Sequence, residues 1–436
     1  MKVKETRDKK VNVVTLGCAK NIVDSENLIT QLEGNDYAVK HDSDDRSEIV
    51  IINTCGFIDV AKQESIDTIL AFADLKSKGS IEKLYVTGCL SQRYKDQLEE
   101  EIPEVDKYFG TLELPSLLNS LNADYKKDLI GERTITTPDH YAYLKISEGC
   151  NRTCSFCAIP LIRGKHRSKS IDFLVKEATH LAARGVKELM LIAQELTYYG
   201  LDIYKKRELP RLLDALAGID GIEWLRLHYA YPSKFPMEII DAMAEHKEVC
   251  NYLDMPLQHA HNDILQSMRR QITLEETEDL IRKIRDKIPN IALRTTFLVG
   301  YPGEREEHFE ALMQFVKRTR FDRVGVFQYS HEENTIAHDL QDDVPADEKA
   351  SRASRLMELQ RGISLEINQE KIGSVQRVLF DRIEGDHFVG RTESDSPEVD
   401  NEVFVHKSDY IRLGDFADIE ITDATEYDLF GKLKKV

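Results

Sequence analysis

Three times between Val11 and about Ile130 an apolar run of strand length ends in a cysteine and gives way to an amphipathic stretch. The runs are VNVVTLGC, IVIINTCGF and KLYVTGCL, and their cysteines, Cys18, Cys55 and Cys89, recur about every 35 residues, the length of a βα unit. Few folds accommodate this pattern. In an open parallel sheet the carboxyl ends of all strands share one edge, so three cysteines distant in sequence converge there. An isolated strand-ending cysteine is an ordinary buried apolar residue; three in the same position predict a shared site.

A second series follows. From about Tyr141 to Leu340 six apolar runs, AYLKI, ELMLIA, WLRLHY, YLDMPL, IALRTTFLV and RVGVFQY, alternate with helical patterns. Continuous apolar runs suit parallel strands covered on both faces, and six βα units are two short of a full (β/α)8 barrel. Pro345 to Gly373 reads as one long helix with Ala353, Leu356, Leu359, Ile363 and Ile367 at near-helical spacing. Beyond it VQRVLF, HFVGR, EVFVH and ADIEIT are short runs between turn residues, the pattern of a small antiparallel β-barrel. The expected fold is therefore a multidomain α/β protein: an open parallel α/β sheet over residues 1–135, a partial (β/α)6 barrel with trailing helix over 136–370, and a small barrel over 371–436.

The first barrel run leads into SEGCNRTCSFC, where Cys150, Cys154 and Cys157 form a CxxxCxxC motif. Three thiolates bind a metal yet leave one position of a tetrahedral zinc or a four-iron cluster for a ligand that is not cysteine. Zinc requires a fourth protein ligand, for which His166 is nearest in sequence. A 4Fe-4S cluster accepts a small molecule instead. No run of about 18 apolar residues exists to span a bilayer, and the amino terminus, MKVKETRDKK, has no apolar signal stretch. A cytosolic location is expected, where seven cysteines point to metal or catalysis rather than disulfides. No Ser-His-Asp pattern, P-loop or HExxH motif is present, so hydrolytic and phosphoryl-transfer chemistry has no residues to carry it.

CxxxCxxC after the first strand of a partial barrel resembles the radical S-adenosylmethionine enzymes, and the three-cysteine domain before it narrows the resemblance to the methylthiotransferases. The phrases VTLGCAKNIVDSE, LIAQELTYYG, NYLDMPLQHA and GRTESDSPEVDN are similar to the branch that modifies a ribosomal protein. The resemblance implies two 4Fe-4S clusters, one on Cys150, Cys154 and Cys157 with S-adenosylmethionine at its open iron, the other on Cys18, Cys55 and Cys89 carrying sulfur. It implies β-methylthiolation of an aspartate in the twelfth protein of the small ribosomal subunit, with a second S-adenosylmethionine supplying the methyl group. The last segment is similar to the OB-like TRAM domain. Phe156 matches the aromatic beside the cofactor's adenine, and Gln194, Gln258 and Arg294 are expected at strand ends where related barrels contact S-adenosylmethionine. Packing or local hydrogen bonding is the competing role of each. The segment GYPGE, Gly300 to Glu304, brings backbone toward the adenosyl group or is a simple turn, and the basic run RGKHRSK, Arg163 to Lys169, holds anionic groups or is a solvated loop. The expected partners are the ribosomal protein, free or in the ribosome, and an electron donor such as flavodoxin or ferredoxin; the enzyme is expected to work as a monomer away from membranes.

Charge bears on the substrate. The formal net charge is -18, which opposes phosphate backbones. From Gly373 to Val436 fifteen Asp and Glu face eight Lys and Arg, a balance of -7. A basic ribosomal protein suits such a surface better than RNA. The alternatives are methylthiolation of a tRNA adenosine, with RNA contact still open, and an iron-sulfur scaffold or electron carrier without turnover. Cys250 lies outside both triplets and is expected to be a buried, inert thiol.

Overall fold

The computed structural model describes residues 9–129, 131–408 and 410–434; the charged stretch MKVKETRD and residues 435–436, with the expectations placed on them, lie outside it. Among the described residues no helix is long and apolar enough to cross a membrane. The chain packs as two compact units. One runs to Thr137 and takes in Tyr143–Asn151 and Ala158–Arg167; the other holds Pro138–Ala142, Arg152–Cys157 and Ser168 onward.

The first unit is built on five parallel strands, β1 (Lys10–Thr15), β2 (Ala38–His41), β3 (Ile49–Thr54), β4 (Lys83–Gly88) and β5 (Lys107–Tyr108), in the order β2-β1-β3-β4-β5. The three cysteine-ending runs are β1, β3 and β4. Strands β2 and β5 are additions at the edges, where AVKH and KY carry too little apolar surface to stand out in the sequence. Side chains alternate between faces: Ile49 and Ile51 of β3 pack with Leu28, Ile29 and Leu32, while Val50 and Ile52 pack with Ile69, Leu84 and Leu90. Both faces of the sheet are thus covered, which is why these strands read as unbroken apolar runs. Helices α1 (Ala19–Glu33), α2 (Asp59–Ser77) and α3 (Cys89–Glu101) follow β1, β3 and β4.

The six expected runs form one open sheet of β6 (Tyr141–Lys145), β7 (Glu188–Ile192), β8 (Trp224–Leu227), β9 (Val249–Asp254), β10 (Ala292–Val299) and β11 (Arg323–Gln328), ordered β11-β10-β9-β8-β7-β6. Pairing is parallel throughout β7 to β11. Strand β9 starts at Val249, earlier than YLDMPL implied, and carries Cys250 into a core cluster with Trp224 and Tyr252, where it is 1% exposed. The long helix spans Ala346–Gln369 with Pro345 as its cap and packs along β11. Leu356 and Ile363 are buried, whereas Ala353, Leu359 and Ile367 are half-buried; polar Lys349, Arg352, Gln360, Ser364 and Asn368 take the remaining buried positions.

The terminal module is a closed barrel of β12 (Val375–Glu384), β13 (His387–Thr392), β14 (Glu402–His406), β15 (Phe416–Ala424) and β16 (Asp428–Leu433), in the order β12-β13-β14-β16-β15. It has a strand more than the four runs read from the sequence, because DLFGKL is interrupted by Gly431 and a lysine. Pairing is antiparallel except between β14 and β16, which run parallel and close the barrel.

Several of this module's acids face inward. Asp381 binds Arg391 (2.7 Å) and His140 (2.7 Å), Asp395 binds Arg323 (2.5 Å), and Asp400 binds Arg294 (3.2 Å) and Tyr252 (2.8 Å). Arg226, fully buried in β8, pairs with Glu188 (2.7 Å) and donates to the Glu393 carbonyl (2.5 Å). Burial raises the Asp381 pKa, but Arg391 and His140 outweigh it and hold this carboxyl at about 2. The module's negative balance therefore overstates its surface charge: Asp395 and Asp400 are neutralised by Arg323 and Arg294 from the sheet, while Asp381 cancels against Arg391 of the module itself.

Candidate functional site

The strand ends of the first unit bring its three cysteines together. Cys18 is the residue before α1, Cys55 follows β3 directly, and Cys89 opens α3. Gly17, at φ +92°, lies so close to Cys55 that a Cβ on it would stand 2.7 Å from the Cys55 Cβ. A Cβ on Gly56 would stand 2.6 Å from the Leu90 Cα, beside Cys89. Only glycine permits these approaches. Cys18 and Cys89 sit at helix amino termini. Burial pushes the Cys89 thiol up to about 12, against the opposing pull of Arg163, so a metal binding this cysteine must displace a tightly held proton.

Among the described residues the three sulfurs do not all lie within 4.8 Å of one another. Arg163, only 2% exposed, donates from Nη2 to the Cys89 Sγ (3.4 Å) and to Asn21 Oδ1 (2.5 Å), and from Nη1 to Asp24 (2.5 Å). Asp24 and Glu148 are shared with buried Lys145. The basic run RGKHRSK thus divides: Lys165 and Arg167 are exposed, while Arg163 and His166 are buried.

The CxxxCxxC loop is pinned from several sides. The backbone N–H of Cys150 donates to the Gly164 carbonyl (3.1 Å). Ser155 donates its N–H to the Met268 carbonyl (3.1 Å), accepts at its carbonyl from Ala337 (2.7 Å), and places its hydroxyl 2.9 Å from the Tyr301 OH. Cys154 Sγ receives Arg270 Nη1 at 3.3 Å and lies 3.6 Å from the Tyr231 OH. The guanidinium carbon of Arg152 is 3.8 Å from the Tyr231 ring centroid and 3.9 Å from that of Tyr198, and Arg152 pairs with Glu195 (3.3 Å). None of Arg152, Tyr231, Arg270 or Tyr301 was singled out from sequence. Arg152 lies within the cysteine motif and Tyr301 within GYPGE, whereas Tyr231 and Arg270 have no such setting; the shared role of the four depends on tertiary placement.

The expected S-adenosylmethionine contacts are distributed as follows. Phe156 is half-buried against Ile264, Met268, Leu298 and Tyr301. Gln194 follows the carboxyl end of β7 and is half-buried. Gln258, in the left-handed region at φ +77°, exchanges backbone hydrogen bonds with Thr296 and Leu298 (2.8 Å each); a non-glycine held there is a strained position of the sort found at ligand sites. Arg294 is not at the end of its own strand, as expected, but third in β10, because the apolar run continues to Val299. It is level with Asp254, the last residue of β9, and pairs with Asp254 and Asp400 (3.2 Å each). The GYPGE segment supplies Tyr301 to the cysteine loop and buries Glu304 against Arg352 (2.7 Å).

A tight grouping of metal-type side chains occurs elsewhere, where His261, Asp263 and His308 offer ligand atoms within 4.8 Å. The backbone N–H groups of Asp263 and Arg305 donate to Nδ1 of His261 and His308 (3.3 and 3.0 Å). That places the proton of each neutral ring on Nε2 and makes the pair donors, not ligands.

Residues 144–316 match the Radical SAM superfamily, residues 10–110 the Uncharacterized protein family UPF0004 and residues 372–433 the TRAM domain. The radical S-adenosylmethionine methyltransferase TsrM from Kitasatospora setae shares the fold, with a TM-score of 0.55 and 17% identity over 73% of this chain and 72% of that one. Sheet, cysteine loop and family match together define a radical SAM enzyme. The ribosomal protein uS12 methylthiotransferase RimO of Cytophaga hutchinsonii is 59% identical over 437 residues, covering 100% of both chains. The protein of the same name from Flavobacterium johnsoniae is 58% identical over 99% of this chain and 100% of its own. The chain belongs to this family of RimO methylthiotransferases.

Proposed function

We propose that the protein transfers a methylthio group to the β-carbon of an aspartate in ribosomal protein uS12, in the cytoplasm, drawing electrons from a donor such as flavodoxin or ferredoxin. The observation that carries this reading is the end-to-end likeness to RimO proteins, which spans every segment of the chain. It favours uS12 over a tRNA adenosine. The division at residues 1–135, 136–370 and 371–436 is part of the same proposal, supported by the separate family matches.

The donor sets fit two four-iron clusters. In the proposal Cys150, Cys154 and Cys157 hold one, and Cys18, Cys55 and Cys89 the other. When bound, the first cluster with S-adenosylmethionine supplies a 5′-deoxyadenosyl radical, and the second supplies the sulfur for transfer. The remaining residues position and compensate. Arg270 sets a buried positive charge against Cys154, easing the accumulation of thiolate charge in a low-dielectric site. Ser155 fixes the loop between the second and third cysteines. Phe156 offers a half-exposed aromatic face for adenine, Gln194 and Gln258 offer amides near strand ends, and Arg294 has guanidinium donors beyond those engaged by Asp254 and Asp400 for the carboxylate of S-adenosylmethionine.

The test compares full-length proteins reconstituted anaerobically. Wild type is expected to bind about eight iron atoms, the content of two four-iron clusters, and to add the mass of a methylthio group to uS12. Cys150→Ala is expected to abolish 5′-deoxyadenosine formation. Cys55→Ala is expected to retain it and lose transfer. Wild-type protein holding both clusters yet leaving uS12 unmodified would refute the reading, as would a deletion strain that lost methylthio groups from tRNA alone.

A further inference from the structure

We propose that Arg163 is a positioning residue for the cluster held by Cys18, Cys55 and Cys89, fixing the Cys89 thiolate and raising the cluster's reduction potential through its buried positive charge. The inference rests on the reading that these cysteines carry a cluster. It concerns what the protein does to that cluster, which ligand identity leaves open.

The geometry is that of a charge placed deliberately. Arg163 lies six residues beyond Cys157 in sequence, at the end of the short helix Ile159–Arg163, yet its guanidinium reaches a cysteine 74 positions away. Its Nη2 bridges two acceptors of the same locus, Cys89 Sγ at 3.4 Å and Asn21 Oδ1 at 2.5 Å; Asn21 in turn donates its backbone N–H to the Cys18 carbonyl (2.8 Å). Its other edge is held by Asp24 (2.5 Å) and Glu148 (3.4 Å), with Lys145 completing the set. Two cations and two carboxylates balance, so the network is neutral before any thiolate is counted. Only the Arg163 cation among them directly touches a cysteine sulfur in the described structure. Hydrogen bonds to ligand sulfurs and local charge are the levers by which a protein sets an iron-sulfur potential, and guanidinium is the side chain whose charge survives burial.

Sign gives the test. Reduction adds negative charge to a cluster, so removing a nearby cation disfavours it, and removing a nearby anion favours it. Full-length chain carrying Cys150→Ala, Cys154→Ala and Cys157→Ala isolates the second cluster, whose midpoint is read by redox titration with electron paramagnetic resonance. Arg163→Gln is expected to shift it to more negative potential and Asp24→Asn to more positive. Arg163→Lys, which keeps the charge and loses the fork, is expected to hold the wild-type potential while giving up iron faster to a chelator. Loosened packing alone would move Arg163→Gln and Asp24→Asn in the same direction, and that result, or unmoved potentials, would overturn the role of Arg163. If Arg163→Gln retains no cluster, the Asp24→Asn shift alone decides by its sign. A chain with the three motif cysteines removed that binds no iron overturns the cluster reading itself, and this inference with it.

Discussion

The hydroxyl of Ser155 lies 2.9 Å from the phenol of Tyr301, tying the loop between Cys154 and Cys157 to the turn after β10. Ser155 also donates to the Ser267 carbonyl (2.8 Å), so the loop is clamped between two segments that follow successive strands. Of the two side-chain hydrogen bonds of Ser155, Tyr301→Phe removes one while keeping the ring, together with the phenol's contacts to the Ser267 carbonyl and hydroxyl (3.1 and 3.3 Å), at a cost of about 1 kcal/mol for each. Ser155→Ala removes both. The expected order of motif-cluster retention under chelator challenge is wild type, Tyr301→Phe, Ser155→Ala, measured as iron released per chain against time. Equal rates would show that the clamp has no bearing on the cluster.

Gly17→Ala separates the two sites. The added methyl meets the Cys55 Cβ at 2.7 Å in a backbone conformation that alanine resists. Iron content after reconstitution is expected to fall from about eight atoms toward about four, with 5′-deoxyadenosine formation preserved. Iron analysis and product chromatography on one sample check both halves.

Acid sensitivity follows from Asp381. Burial raises its pKa, but Arg391 and His140 dominate and bring it from 3.8 to about 2. A depressed folded-state value means that the carboxylate's contribution is complete above the unfolded value and lost as pH falls toward the folded one. Stability should therefore drop between pH 4 and 2, with Asp381 accounting for about 2 kcal/mol of the loss. In Asp381→Asn the same interval should be flatter. Urea denaturation monitored across that range reads the difference.

Asp395→Ala leaves Arg323 buried without the carboxylate that takes two of its hydrogen bonds. Breaking a buried pair from one side costs about 3–5 kcal/mol. The apparent unfolding midpoint of the whole protein should fall clearly, whereas Asp418→Ala, at an exposed position of the same module, should leave it within about 0.5 kcal/mol of wild type. Denaturation of the two variants side by side provides the check.

Much of the architecture is legible in the sequence because the strands covered on both faces are unbroken apolar runs, and because cysteines at strand ends mark the sheet edge. What escaped notice has short or polar signals. The edge strands AVKH and KY are too brief to register, and the fifth barrel strand hides behind Gly431. The resemblance to related barrels puts Arg294 at a strand end; in β10 two acids neutralise it and the run continues. Arg163 was indistinguishable from its exposed neighbours Lys165 and Arg167, since a basic tripeptide spacing carries no information about which member meets a sulfur across the fold. Arg152, Tyr231 and Arg270 share that limitation: their stacking exists only once three separated segments meet.

The loop from Glu393 to Asn401 bears on how such a chain is inherited. Its carboxylates complete Arg294 and Arg323 of the sheet, and a carbonyl of the same loop receives Arg226. The terminal barrel is consequently no detachable adaptor. A chimera that exchanged it for a barrel lacking this loop would strand guanidinium groups in an apolar interior. Shuffling between lineages should succeed only when loop acids and sheet arginines travel together.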